Sequence, residues 1–318
     1  MSAVTAPPAA GAEPAAGRPP GRRRRPLVQR VLGRNPLGWL FGAPYLAFVL
    51  VISAYPLGYA IYISFFDYFF AAPGANVTQP FIGVGNYVQV FTDSAVLQSF
   101  LNVGVFLIIN VPLTVLLSLV LASGLNSITR FRTFLRVSYY VPYVTASVAI
   151  IGVWLFLFSG GGLVNQILGP LAPDPSWFVN PVLAMPTIAI YVTWKQLGLY
   201  ILLYLAALQN VPRELYESAA TDGGGRVRQF FSVTVPGVRP ATVLVLLSTI
   251  TGANLFTEPY LLTGGGGPDG KSTTPVLLIY QQGIQQGHPG YAAAIGVVLV
   301  VLVLVIGWLQ NRFAGGRD

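Results

Sequence analysis

Six long apolar stretches determine what this chain can fold into. They cover approximately residues 39–64, 97–122, 137–158, 181–207, 240–262 and 291–311, and each reaches the roughly 20 residues that a helix needs to cross a bilayer. Only 9% of the 318 residues are charged, whereas a soluble domain carries about 25%. The sequence therefore predicts an all-α integral membrane protein with six transmembrane helices.

The basic residues predict the orientation of these spans. Of the 18 lysines and arginines, 16 fall on one side of a six-span arrangement, in both termini and in the loops between spans two and three and between spans four and five. Cytoplasmic loops carry the excess of Lys and Arg, so we expect both termini in the cytoplasm.

Three segments follow from this topology. Residues 1–36, rich in Arg, Pro and Ala, are predicted to form a disordered cytoplasmic N-terminus, whose run Arg22–Arg25 fits a topology anchor that contacts anionic lipid better than a nucleic-acid site. Residues 37–313 form the transmembrane domain, and residues 314–318 a cytoplasmic tail.

The cytoplasmic loop at about residues 210–240 has the pattern of two short helices. Pro212 suits the start of a helix that runs through Ala220, and the glycines at 223–225 break it. A second amphipathic segment, Val227 to Val233, is expected to stop at Pro236. Such a knob below the membrane predicts a docking surface. The alternative is a solvated loop whose Glu217 and Asp222 merely neutralise nearby Arg213 and Arg226.

The same loop resembles the EAA motif of binding-protein-dependent ABC importer permeases, approximately E-A-A-x-x-D-G-A-x(5)-F-x-x-I-x-L-P-x-x-x-P. Ser218 and Gly224 replace two of the motif's alanines. The stretches 81–87, 263–268 and 290–294 are similar to segments of sugar-importer permeases, most like the first of the two paralogous permeases in maltose-type systems. The motif positions that match in spacing are Glu217, Ala219, Asp222, Gly223, Phe230, Pro236 and Pro240.

The resemblance implies a type I importer permease fold and a set of partners. The loop would be a coupling helix seated in a cleft of an ATPase subunit, with a looser turn here because of the extra glycine. The partners implied are a second paralogous permease, two ATPase subunits and an extracytoplasmic solute-binding protein, in the inner membrane of a bacterium. ATP and Mg would bind to the ATPase, so no cofactor is expected in this chain, and no nucleic acid. The residues implied in docking are Glu217, Ser218, Ala219, Asp222, Gly223, Gly224, Phe230 and Pro236.

Polar residues inside the spans suggest a solute pathway. Lys195 and Glu258 are the only charged residues within the six stretches, and such residues usually face a cavity or a partner. The spacing of Ser248, Thr251, Asn254 and Glu258 places them along one face of a continuous fifth helix. The stripe either lines a polar path or forms hydrogen bonds with the partner subunit.

Few positive charges lie away from the cytoplasmic side: Lys195, Lys271 and His288. This favours a neutral solute such as a mono- or oligosaccharide, with a non-sugar solute such as a glycerol phosphate as the alternative.

Other classes fit the sequence less well. Residues 265–272 satisfy the P-loop expression, but they follow a membrane span on the outer side, so we reject a nucleotide site. A membrane-embedded enzyme would need clustered catalytic groups, and the chain has no cysteine and one histidine. A secondary transporter would show inverted repeats, and we find none.

Overall fold

A computed structural model of the chain describes residues 37–70, 78–128 and 130–314. The predicted disordered segment 1–36 and the end of the tail lie outside these residues. The chain divides into two compact units at Pro56. The described part of the first unit begins with α1, Leu37–Val49, which runs into a π-helical turn, Leu50–Ala54. The helix α2, Tyr55–Ile63, follows, and residues Phe41–Ile63 are long and apolar enough to cross a membrane.

The described remainder of the second unit is almost entirely helical. Its helices, in chain order, are α3 Gly85–Thr92, α4 Ser94–Ser127, α5 Arg132–Val144, α6 Ser147–Leu157, α7 Leu163–Leu168, α8 Ala184–Leu208, α9 Arg213–Thr221, α10 Arg226–Gln229, α11 Val235–Gly237, α12 Arg239–Thr251, α13 Thr257–Leu262, α14 Pro275–Tyr280 and α15 Pro289–Ala314.

Four of the six predicted spans are continuous helices. Besides the first, they are Ser94–Ser127, Ala184–Leu208 and Pro289–Gln310. The third span is a bent pair, because α5 and α6 meet at 96°. Thr145 is extended at this break, three residues after Pro142, whose ring cannot continue the helical hydrogen bonds.

The fifth span differs from the prediction. The stretch 240–262 is not one helix, because α12 ends at Thr251 and α13 begins only at Thr257. The sequence between them contains Gly252 and Asn254, two poor helix formers. The non-helical backbone is covered by protein: Ala253 and Leu255 are buried, and the Thr274 hydroxyl donates to the Leu255 carbonyl. In a membrane, irregular backbone persists only where it is satisfied in this way or lines a cavity.

The centre of the second unit is the packing of α4 against α8. Half of the ten buried residues of α4 are polar, among them Asn102, Asn110 and Thr114. The Asn110 side-chain amide donates to Thr193 Oγ1 across the interface at 2.8 Å. Small and polar residues of this kind hold membrane helices together, since lipid gives apolar helix faces no reason to associate.

Candidate functional site

The loop after α8 has the predicted two-helix form. The first helix, α9, begins directly after Pro212, as expected. The second consists of α10, a π-helical turn at Phe230–Thr234, and α11. Pro236 does not stop it at once: the backbone stays helical for one more residue and ends at Gly237.

The glycine turn between the two helices is tightly closed. Gly223 has a φ of +76°, which glycine adopts without the strain that a Cβ would bring. Its N–H donates to the Ala220 carbonyl at 3.0 Å, and the Gly224 N–H donates to the Ala219 carbonyl at 2.8 Å. This pair of bonds is a Schellman motif. Gly224 is buried, and a Cβ there would lie 2.6 Å from the Ala219 carbonyl oxygen. Gly224 therefore takes the place of the motif's alanine in a turn that two backbone hydrogen bonds close, and the looser turn expected from the extra glycine stays a prediction.

Three residues attach the loop to the rest of the second unit. Tyr216, Ala219 and Phe230 are partly buried and pack against a core that includes Leu125 of α4 and Leu208 of α8. The Tyr216 hydroxyl also lies 3.0 Å from Thr234 Oγ1. Ala219, Phe230 and Gly224, all implicated in docking by the resemblance, thus hold the loop in shape.

The other residues implied in docking face outward. Glu217, Ser218, Asp222, Gly223 and Pro236 are all exposed. Among the described residues, neither Glu217 nor Asp222 has a cation within 4.0 Å. The structure therefore does not show the alternative in which these carboxylates neutralise neighbouring arginines.

Exposed apolar side chains and a groove accompany these carboxylates. Leu215, Val227 and Phe231 are 50%, 73% and 66% exposed. A groove of about 540 Å³ runs between α9 and the second helix, with Ser218 and Asp222 in its wall. Large exposed apolar residues rimmed by charge are typical of protein interfaces, so the loop has the chemistry of a docking surface.

Lys195 lies near the middle of α8 and reaches the break in the third span. Its ammonium donates to the hydroxyl of Ser147, the first residue of α6. Lys195 is half-buried, and no carboxylate of the described residues lies within 4.0 Å of its ammonium. Nothing in the sequence indicated Ser147, because its contact with Lys195 joins two positions 48 residues apart.

The predicted polar stripe does not lie on one helix face. Ser248 and Thr251 are exposed in the last turn of α12, but Asn254 falls in the non-helical segment and Glu258 in α13. The prediction of a continuous stripe is wrong because the helix ends at Thr251. The four residues instead flank a broken helix, the kind of element that often forms solute sites in transporters.

The stretches 81–87 and 290–294, noted in the sequence, make packing contacts with the residues that follow α2. The buried Asn86 side chain donates to the carbonyls of Ser64 and Phe66, both at 2.9 Å, and the Tyr87 hydroxyl lies 2.6 Å from Ser64 Oγ. A Cβ on Gly290 would lie 2.4 Å from the Phe66 carbonyl oxygen. Both contacts fix the segment that follows α2.

The glycine-rich segment 265–272 has no P-loop context. It follows α13, a helix, where a P-loop follows a buried strand. Gly265, Gly266 and Gly267 all have positive φ, and the Ser272 N–H donates back to the Gly266 carbonyl at 2.8 Å. The segment is thus folded on itself.

Comparison with known proteins decides the family. Residues 114–316 match the model of the binding-protein-dependent transport system inner membrane component. The chain belongs to this family. It is therefore a membrane-embedded transport subunit and not an enzyme.

Several curated relatives align over most of the chain. The arabinooligosaccharides transport system permease protein AraP of Halalkalibacterium halodurans is 34% identical over 86% of this chain and 86% of its own length. The lactose transport system permease protein LacF of Rhizobium radiobacter is 32% identical over 88% and 94%. The sn-glycerol-3-phosphate transport system permease protein UgpA of Yersinia pestis is 31% identical over 87% and 93%.

A solved structure shares the fold. A chain of a bacterial ABC transporter involved in the import of the acidic polysaccharide alginate superposes with a TM-score of 0.70, over 92% of this chain and all of that one, at 22% identity. The all-α architecture of an ABC importer permease, expected from the sequence, is confirmed.

Proposed function

We propose that this chain is the permease subunit of an ATP-driven importer for a carbohydrate, driven through the loop at residues 210–240. The observation that carries the proposal is the outward-facing loop with its closed turn and its EAA-like residues. Its turn is closed by two backbone hydrogen bonds, and its Glu217 and Asp222 are exposed without partners in the described chain. Carboxylates and apolar side chains held in a fixed geometry can transmit force from a second protein.

The proposed partners are those implied by the family to which the chain belongs. A separate ATPase subunit receives the loop, and ATP and Mg bind there, not in this chain. Two such subunits, a second paralogous permease and an extracytoplasmic binding protein complete the importer. The loop and both termini lie on the cytoplasmic side of the inner membrane, because the arginines of residues 213–239 lie on the same side as those of the N-terminal segment.

Within the proposed docking set, the structure supports a division of roles. Glu217, Ser218, Asp222, Gly223 and Pro236 touch the ATPase, because they are exposed. Ala219, Gly224 and Phe230 keep the loop in the shape that the ATPase binds.

The solute class rests on the names of AraP and LacF and on the scarcity of positive charge along the proposed path. Lys195, Ser248, Thr251, Asn254 and Glu258 lie at or beside the breaks in the third and fifth spans and contribute hydroxyl, amide and charged groups to that path. A glycerol phosphate is the second candidate, because UgpA aligns as fully as the sugar permeases.

The docking assignment is tested with two charge reversals on the same helix. Glu217→Lys is expected to abolish ATP-dependent solute uptake and to release the ATPase subunits from the purified complex. Glu214→Lys is the matched control, because Glu214 is an exposed glutamate of α9 outside the motif. Equal uptake by the two variants refutes the docking role of Glu217.

The solute class is tested separately. Uptake by cells that express the whole importer is measured against a panel of unlabelled mono- and oligosaccharides and glycerol 3-phosphate. Competition by a saccharide supports the proposal, and competition by glycerol 3-phosphate alone replaces it with the second candidate.

A further inference from the structure

A pocket of about 670 Å³ lies at the root of α9, apart from the proposed docking groove. It forms where the last turns of α4 and α8 meet the first turns of α5 and α9. Asn126, Arg136, Leu208, Arg213, Tyr216 and Glu217 are among its lining residues. We refer to it as the basal pocket.

The basal pocket contains two guanidinium groups without acceptors in the described chain. Arg136 is half-buried, and its Nε is shielded from solvent without a hydrogen-bond partner. Within the described residues, no carboxylate comes within 4.0 Å of Arg136 or Arg213. Glu217 also lines the pocket, so two positive groups face one negative group. Arg213 is exposed, so the buried donor without a partner is Arg136 Nε. A buried polar atom normally has a partner, and the excess positive charge of the lining points to an anion in that role.

The depth of the pocket identifies which anions reach it. The apolar stretch of α4 ends at about residue 122, and Asn126 lies four residues, about 6 Å, further along the helix. The hydrocarbon layer is about 30 Å thick and the whole bilayer about 40–45 Å, which leaves a headgroup layer of about 5–8 Å on each side. Asn126 therefore lies at the level of the lipid headgroups.

The surface beside the pocket suits acyl chains. Phe134, Val137 and Val141, spaced at i, i+3 and i+7 on one face of α5, are 68%, 55% and 48% exposed, and Val137 directly follows Arg136 in the chain. An apolar surface next to paired arginines at headgroup depth matches a phospholipid, whose chains and phosphate would contact the two parts.

We propose that the basal pocket binds the phosphate of an anionic phospholipid headgroup in the cytoplasmic leaflet. The guanidinium of Arg136 offers a planar fork that matches phosphate oxygens, and Arg213 supplies a second charge from α9. A bound headgroup would join α5 to the first turn of α9 and so brace the loop proposed to receive the ATPase. The inference goes beyond the proposed function and is independent of the solute, but it does rest on the cytoplasmic placement of the loop.

The test uses the assembled transporter, purified in detergent with its partner subunits. Its apparent melting temperature is followed as phosphatidylglycerol, phosphatidylcholine or inorganic phosphate is added. We expect stabilisation by phosphatidylglycerol alone. In the double variant Arg136→Gln/Arg213→Gln, the concentration for half-maximal stabilisation should rise on the order of tenfold or more, because each arginine near an anionic surface contributes about 1 kcal/mol.

A matched control and a conservative variant separate a site from a general charge effect. Arg239→Gln removes an exposed arginine at the start of α12, outside the pocket, and should keep the wild-type response. Arg136→Lys/Arg213→Lys retains both charges and should keep the preference for phosphatidylglycerol, which tests the proposal even if the glutamine variant fails to assemble.

Three results overturn the proposal. Equal lipid responses in the glutamine double variant and in Arg239→Gln would show a non-specific effect. Equal stabilisation by inorganic phosphate would assign the pocket to a cytosolic anion. Release of the ATPase subunits from the double variant, with an unchanged lipid response, would make the pocket part of the ATPase interface.

Discussion

Gly198 is the position where the packing of the third span on α8 is least able to accept a side chain. A Cβ there would lie 2.2 Å from the carbonyl oxygen of Tyr139 and 2.7 Å from the Cα of Tyr140. Both are backbone atoms of α5, so the contact is relieved only if the helix moves. A carbon and a carbonyl oxygen rest at about 3.3 Å, and α5 would therefore have to shift by roughly 1 Å.

We predict that Gly198→Ala destabilises the permease by about 1–3 kcal/mol, the usual range for overpacking a well-packed interface. The measurement is the apparent melting temperature of the assembled complex, read by fluorescence-detected size exclusion after heating. Gly104→Ala in α4 is the control, because nothing lies within 4 Å of a Cβ at that position. Alanine there should be neutral or slightly stabilising. If Gly198→Ala melts at the temperature of Gly104→Ala, the close approach of α5 and α8 is refuted.

Two further predictions concern the loop and the pathway. Gly223→Ala should destabilise the Schellman turn by about 1–2 kcal/mol, because the φ of Gly223 is +76°. Amide exchange of residues 223 and 224 should therefore become faster. The control is Gly225→Ala, at φ −69° with open space around its Cβ, which should leave that exchange unchanged; equal rates in both variants would contradict the motif. Lys195→Gln should lower solute uptake several-fold, because the Lys195 ammonium holds Ser147 at the break in the third span. The control is Lys271→Gln, in the loop before α14. Equal uptake by the two variants would remove Lys195 from the proposed path.

The sequence predicted the parts of the fold that depend on chain-local chemistry. Hydrophobic runs give the spans, and Pro212 and Gly223 mark the start and end of α9. Both signals act within a few residues, so they can be read without the fold.

The sequence could not predict features that depend on contacts between distant segments. The stretch 240–262 is apolar throughout, but its backbone breaks after Thr251, where Thr274 supplies a hydrogen bond to the freed Leu255 carbonyl. The Lys195–Ser147 bond and the close approach at Gly198 likewise join the third span to the fourth. Hydropathy records none of these, because each is defined by a partner elsewhere in the chain.

The docking residues illustrate the same division. The motif spacing identified the loop, but only the structure separates exposed Glu217 and Asp222 from Ala219 and Phe230, which pack against the permease itself. A sequence motif carries both kinds of residue without distinguishing them.

The central claim is that the loop at residues 210–240 meets an ATPase subunit in the cytoplasm. Since the chain has no cysteine, Ser218→Cys introduces one unique, exposed attachment point for a photoactivated crosslinker. We predict a crosslink to the ATPase subunit in inside-out membranes from Ser218→Cys and none from Ser94→Cys, an exposed site at the opposite end of α4. A Ser218→Cys protein that is labelled from outside intact cells and never crosslinks to the ATPase would contradict the account.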